Sequence, residues 1–211
     1  MIHYLDQTLE SFLRRKILPQ ELQDQVEVSF APPDDQFQTS LGTNLTINFF
    51  LYDIAENLEL RTQEWRYEQQ AGEPLSKIRM PPPTRVDCSY LITVWSSSAE
   101  SRVSDEHQLL GLLMQGLCRY SYLPKDDLVG SLVLSDDAST NSQSESNFSH
   151  IPTRTLQAGK LQSVAEFWQA MGGKPKASIN YTVTLSVVTQ EPSDPIRVVD
   201  EGKSEWNLTQ K

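Results

Sequence analysis

Three histidines, His3, His107 and His150, and two cysteines, Cys88 and Cys118, are the side chains in this sequence best suited to acid–base, nucleophilic or metal chemistry. Such chemistry needs them to converge, and metal-binding motifs announce this by ligands a few residues apart. Here the histidines fall at the start of one helical pattern, near the N-terminus of another and at the end of a Ser-rich stretch, with no pair at ligand spacing. Two cysteines are too few for a disulfide framework or a four-thiolate zinc site, and both are expected to be reduced, partly buried thiols. No G-x-S-x-G elbow occurs. Gly173-Lys174 resembles the end of a phosphate-binding loop only superficially, since Trp168 stands where the first glycine belongs and Pro175 replaces the Ser or Thr that would hold magnesium. The acidic pairs Asp34-Asp35, Asp126-Asp127 and Asp136-Asp137 could supply paired carboxylates, but they lack the spacing of a calcium loop and read as solvated turns. No catalytic, cofactor-binding or metal-ligating residue is therefore assigned, no cofactor is expected, and the chain reads as not an enzyme. The rival reading from that class is a small hydrolase with a dispersed site, to be sought among His3, His107, Cys88 and Cys118.

The elements that would position any side chain follow from periodicity. Ile2, Leu5, Leu9, Phe12, Leu13 and Ile17 recur at steps of three and four, the mark of an amphipathic helix, which Pro19 ends. Arg14, Arg15 and Lys16 lie in its last turn, where cations complement the exposed carbonyls. Val26, Val28 and Phe30 alternate as a short strand before Pro32-Pro33. Leu45, Ile47, Phe49 and Leu51 line one face of a longer strand, while Thr46, Asn48, Phe50 and Tyr52 make the other face too aromatic to be simply wet. Val86, Cys88, Tyr90, Ile92 and Val94 repeat the pattern, as do Ile179, Tyr181, Val183, Leu185 and Val187, and these three long strands should form the centre of a sheet. A second helix is expected to open at Ser104 with Asp105 and Glu106 in its first turn, to bury Leu109, Leu110, Leu113 and Leu117, and to stop before Pro124. Gly111 and Gly116 inside it each cost about 1 kcal/mol relative to Ala, which implies close packing at both. A third helix spans about Leu161 to Met171, buries Val164, Phe167, Trp168 and Met171, and ends at Gly172-Gly173. The expected class is α/β, or α+β, with a mixed, largely antiparallel central sheet and about three packed helices.

A length of 211 residues with 38% hydrophobic and 22% charged residues suits one core, placed at residues 1–190. The formal net charge of −10 argues against wrapping nucleic acid or lying on an anionic membrane. No run approaches the roughly 20 apolar residues of a membrane span, and the opening residues lack a basic leader with an apolar stretch, so no membrane insertion and a cytoplasmic location are expected. Three segments do not look like core: residues 53–84, long, charged and without helix caps, read as a protruding arm; the Ser- and Asn-rich residues 135–149 as a disordered loop; and residues 191–211 as a polar tail that dangles or docks on a neighbour.

The order of these signals resembles one family. An N-terminal amphipathic helix precedes a strand closing on Leu51-Tyr52-Asp53-Ile54 and then Glu56-Asn57-Leu58-Glu59-Leu60-Arg61. Pro81-Pro82-Pro83-Thr84-Arg85-Val86-Asp87-Cys88-Ser89-Tyr90, Glu106-His107-Gln108-Leu109-Leu110-Gly111 and Ser178-Ile179-Asn180-Tyr181-Thr182-Val183 follow. Together, from Met1 to about Val188, they resemble the cap, or tail-terminator, family of extracellular contractile injection systems, phage-tail-like particles related to antifeeding prophages and virulence cassettes. The resemblance implies a phage tail-terminator-like fold and a homohexameric ring. It also implies partners in the inner tube and contractile sheath, whose baseplate-distal end the ring would close, with no cofactor. A tube adaptor or baseplate component of such a particle is the nearest alternative. Under this reading the arm is the candidate contact between subunits, with Arg61, Trp65, Arg66, Tyr67 and Arg79 as anchors, because Trp, Tyr and Arg are favoured at interface centres. The same residues also suit a solvated hairpin with internal charge pairs.

Overall fold

Alternation from Val86 to Trp95 produces a strand, β5 (Thr84–Trp95), buried on both faces over most of its length, and the sheet is built outward from it. The computed structural model describes residues 1–42, 44–69, 76–97, 102–132, 150–157, 163–191, 193–194 and 196–197. On one side β5 pairs antiparallel with β2 (Leu45–Glu56), Phe49 standing opposite Ile92; on the other it pairs with β8 (Ser178–Val187), Tyr90 opposite Tyr181. A parallel β1 (Val26–Ser29) closes one edge, while β7 (Ile151–Thr155) and β6 (Tyr122–Leu123) extend the other, giving the order β1-β2-β5-β8-β7-β6. The three long patterns of the sequence are thus the sheet's centre, as expected. Leu51 faces Tyr90 and Asp53 faces Ser89, so Tyr52 is an extra residue, a β-bulge.

One face of the sheet is covered by α1 (Ile2–Phe12), which widens into a π-helical turn over Leu13–Ile17, and by α4 (Arg102–Arg119). Leu5, Leu9, Phe12 and Leu13 with Leu109, Leu113 and Leu117 meet Ile47, Phe49, Tyr90, Ile92, Tyr181 and Val183 there as one core. A single turn, α2 (Gln20–Gln23), leads to β1. The second face carries a smaller core in which Trp95 and Leu91 meet Phe37 of α3 (Phe37–Ser40) and Trp168 of α5 (Val164–Ala170). Phe50 and Tyr52 belong to this side, Phe50 lying 5.9 Å from the Phe167 ring, which accounts for the aromatic second face of their strand. The mixed, mostly antiparallel sheet with helices on both faces agrees with the expected class, and among the described residues the helices number five, two of them single turns. No helix among the described residues is long and apolar enough to cross a membrane.

Several local expectations are corrected. α4 begins at Arg102, so Ser104 lies inside it. Glu106 is buried: it accepts from the Ser96 backbone N–H at 3.0 Å and pairs with Lys176 Nζ at 2.5 Å. α5 starts at Val164, with the Ser163 hydroxyl accepting from Glu166 N–H; the earlier start expected at Leu161 lies outside the described residues. Its stop is as expected, with Gly172 at φ +72°. The cations after α1 reach other elements as well: Arg14 bonds Glu10 and the Gln23 and Val26 carbonyls, and Arg15 bonds the Asp126 carbonyl at 2.9 Å. Asp127 is no solvated turn residue but a buried one, 3.0 Å from Arg15 Nη1, which aims its N–H at Asp126 instead. Cys88 is buried as expected, whereas Cys118 is exposed.

The arm is not a loop without regular structure. β2 runs on through Glu56, and β3 (Arg66–Gln69) pairs antiparallel with β4 (Ser76–Met80). A two-residue strand from the tail, β9 (Ile196–Arg197), pairs with β4 to complete a second sheet, so at these positions the tail docks on its own chain. The Ser-rich residues 135–149 and the tail beyond 197 lie outside the described residues.

Two glycines of α4 differ in their surroundings. A Cβ on Gly116 would meet Ile17 Cγ2 at 2.5 Å, so the helix rides directly on the π turn; a Cβ on Gly111 would meet nothing within 4 Å, contrary to expectation. Gly111→Ala should therefore stabilise the protein by about 0.5–1 kcal/mol through helix propensity alone. Gly116→Ala should destabilise it by about 1 kcal/mol, because overpacking against Ile17 outweighs the same gain. Urea denaturation of both variants checks this, and equal shifts would contradict it. A second prediction concerns Asp6, whose carboxylate accepts from the Tyr90 hydroxyl at 2.9 Å. Burial pushes its pKa up, against the opposing effects of the Tyr90 bond and His3. With the folded-state value above the unfolded one, the folded chain binds the extra proton, and Asp6's contribution to stability rises as pH falls through that window. Asp6→Asn, which keeps an acceptor for Tyr90, should raise the melting temperature at neutral pH, with the gain shrinking toward pH about 4. A gain indifferent to pH in scanning calorimetry contradicts it.

Candidate protein-interaction surface

Where β2 leaves the main sheet, the chain is pinned before it enters the arm. Asn57 donates its backbone N–H to the Arg85 carbonyl at 2.8 Å and its side-chain amide to both oxygens of Asp87 at 3.1 Å, while its own Oδ1 accepts from Leu60 N–H. Asp87 is 4% exposed and also accepts from Thr184 Oγ1 at 2.6 Å and Arg154 Nη2 at 2.5 Å. One buried carboxylate thus joins the arm's base to β7 and β8, and neighbouring Arg85 bonds Ser186 across the same pair of strands.

The five expected anchors take different places. Arg61 turns back on Glu56 in a two-pronged ion pair, Nε to Oε1 at 2.7 Å and Nη2 to Oε2 at 2.6 Å. That bond lowers the pKa of the Glu56 carboxyl and raises that of the guanidinium. Trp65 and Arg79 stack, the guanidinium carbon 4.0 Å from the ring centroid, a cation–π contact. Tyr67 stands opposite Arg79 in the β3–β4 ladder and is 60% exposed; Arg66 stands opposite Met80. Trp65, Tyr67 and Arg79 therefore come together, while Arg61 is occupied at the base.

Sequence reasoning did not single out the exposed apolar residues of the same segments. Ile54, Leu58, Leu60 and, on the tail strand, Ile196 are all roughly half exposed or more. Exposed large apolar side chains gathered along one segment mark interaction surfaces more than single ones do. Leu58 and Leu60, alternating with acids in Glu56-Asn57-Leu58-Glu59-Leu60, were the available signal.

The residues weighed for chemistry stay apart. His3 lies against Tyr4, His150 stacks on Tyr122 at 4.9 Å, and His107 is exposed on α4. The Cys88 thiol is pushed up to about 11 by burial and then by the charges of Asp87 and Asp6, which leaves little thiolate at neutral pH. No group of three or more His, Cys, Asp or Glu could hold a metal ion among the described residues. What this region offers is a pinned arm with exposed aliphatic and aromatic groups, Leu58, Leu60 and Tyr67 among them, an arrangement suited to contact with another polypeptide.

Comparison with known proteins gives three findings. The family model of the Pvc16 N-terminal domain matches residues 4–201. No curated protein matches the sequence. Among solved structures, the chain is similar to the sheath/tube terminator, in its extended state, of the PVC extracellular contractile injection system. The two are 22% identical with a TM-score of 0.66, over 100% of this chain and 64% of that one. It is also similar to the tube terminating cap of the anti-feeding prophage, 23% identical with a TM-score of 0.62, over 97% of this chain and 62% of that one. The chain thus spans less than two thirds of the length of both, and at these identities the likeness is one of fold.

Asp87→Ala would strand the Asn57 amide, the Thr184 hydroxyl and the Arg154 guanidinium together. It should destabilise the protein by about 3 kcal/mol, the scale for removing one member of a buried charged network. Urea denaturation measures this, and a loss below about 1 kcal/mol would show that water replaces the carboxylate without cost.

Proposed function

The chain belongs to the Pvc16 N-terminal domain family, and from that membership we propose that it is a structural cap, or tail terminator, of a phage-tail-like contractile injection system. It closes the baseplate-distal end of the inner tube and contractile sheath, forms a homohexameric ring and stops polymer growth. The family match across residues 4–201 carries the reading, and the fold shared with the two solved terminators supports it. The physical logic is that of a chain stopper: a stack of rings ends in an unpaired interface, and a subunit with one complementary face and no second one prevents further addition.

In this reading residues 1–190 act as a single domain and the arm, residues 53–84, supplies contacts between subunits through Trp65, Arg66, Tyr67 and Arg79, together with the exposed Leu58. Arg61 serves its base. The partners are other copies of the chain and the tube and sheath subunits. No nucleic acid, membrane insertion, catalysis or cofactor enters the mechanism, and assembly takes place in the cytoplasm.

Removing the protein from a producing cell should give particles of unregulated length, and the labelled protein should sit at the end opposite the baseplate. Normal length distributions, or label at the baseplate, contradict the assignment. Within the chain, Leu58→Asp combined with Tyr67→Ala should shift the solution mass from ring toward monomer while circular dichroism stays unchanged. An unaltered ring in that double variant would remove the arm from the interface.

A further inference from the structure

We propose that the tail strand is exchanged between copies: Ile196 and Arg197 of one chain pair with Lys77 and Ser76 of a neighbouring copy, in the register they use within one chain. The inference rests on the ring reading, and it begins from how β9 is held. Its pairing is two residues wide, Ser76 with Arg197 and Lys77 with Ile196, extended by Ser193, whose N–H donates to the Arg79 carbonyl at 2.9 Å and whose hydroxyl accepts from Arg79 N–H at 3.2 Å. These bonds engage the main chain of β4 and one serine, so a second copy can supply every one of them unchanged. That equivalence makes strand exchange a low-cost route to association. β4 also needs a partner on that edge, because a two-stranded hairpin is only marginally stable in water.

The connection allows the exchange. β8 ends at Val187, and Ser193 is the first tail residue bonded to β4. Residues 188–191 between them are exposed. Six extended Cα steps reach about 20 Å, enough for the strand to leave its own arm for one standing within that radius. Within a ring the neighbour's arm is present at an effective concentration on the order of millimolar, which lets pairing in trans compete with pairing at home.

The register supplies the test. Lys77 and Ile196 are directly opposite, at a spacing that a disulfide can bridge. In a Cys118→Ser background, which removes the exposed native thiol, one chain carries Lys77→Cys and another Ile196→Cys. The two are mixed during assembly, oxidised and run on a non-reducing gel, with solution mass measured on the same sample. Exchange predicts a linked pair containing one of each chain, and a double Lys77→Cys/Ile196→Cys chain that forms a covalent ladder. A ring without the mixed pair, in which the double variant closes only within each chain, overturns the exchange and leaves the ring standing. A mixed pair in a sample that is only dimeric supports the exchange and removes the ring. Neither ring nor mixed pair overturns both.

Discussion

A carboxylate withdrawn from water into the face of a sheet is costly unless donors converge on it, and much of this molecule is arranged around one such group. Asp87 lies on the central strand and gathers an amide from the start of the arm, a hydroxyl from β8 and a guanidinium from β7. Three segments far apart in the chain are held in register by one side chain. The apolar half of the same face, around Trp95 and Trp168, could tolerate some sliding, since dispersion contacts are not directional; the polar half could not. The arm therefore starts from a fixed point, and whatever it touches meets a defined geometry.

Electrostatics sets a second condition. Identical chains each carrying a net charge of −10 repel one another. Within the arm one acid is neutralised locally, Glu56 by Arg61, and Arg79 lies over Trp65, while Glu59 and Glu64 stay exposed.

The long elements were legible because each carries its own period. β2, β5 and β8 alternate over ten residues or more, and α1 and α4 repeat Leu at helical steps. The arm was not legible as a sheet. β3 and β4 are four and five residues long and rich in charge, and β9 has two residues paired with a strand about 120 positions away, a separation that leaves no local trace. Burial of Asp127 and exposure of Cys118 escaped for a related reason, as residue type sets a preference and the packing of a distant element decides. Gly111 and Gly116 make the same point inside one helix: only the position of Ile17 separates them. Of the candidate anchors, chosen by residue type for contact with another subunit, the structure brings Trp65, Tyr67 and Arg79 together and ties Arg61 to Glu56, pairings that residue type alone does not encode.

The extra residue at Tyr52 acts as a change of parity. Before it, odd-numbered residues of β2 look toward the main core; after it, even-numbered ones do, as Ile54 opposite Cys88 shows. The shift sets small Ala55 opposite Asp87 and brings Asn57, two residues on, to the side where the carboxylate waits. In an unbroken ladder branched Ile54 would occupy that spot and the amide would emerge on the wrong side. Losing any one residue between Leu51 and Asn57 would therefore do more than shorten a strand: it would turn the root of the arm over.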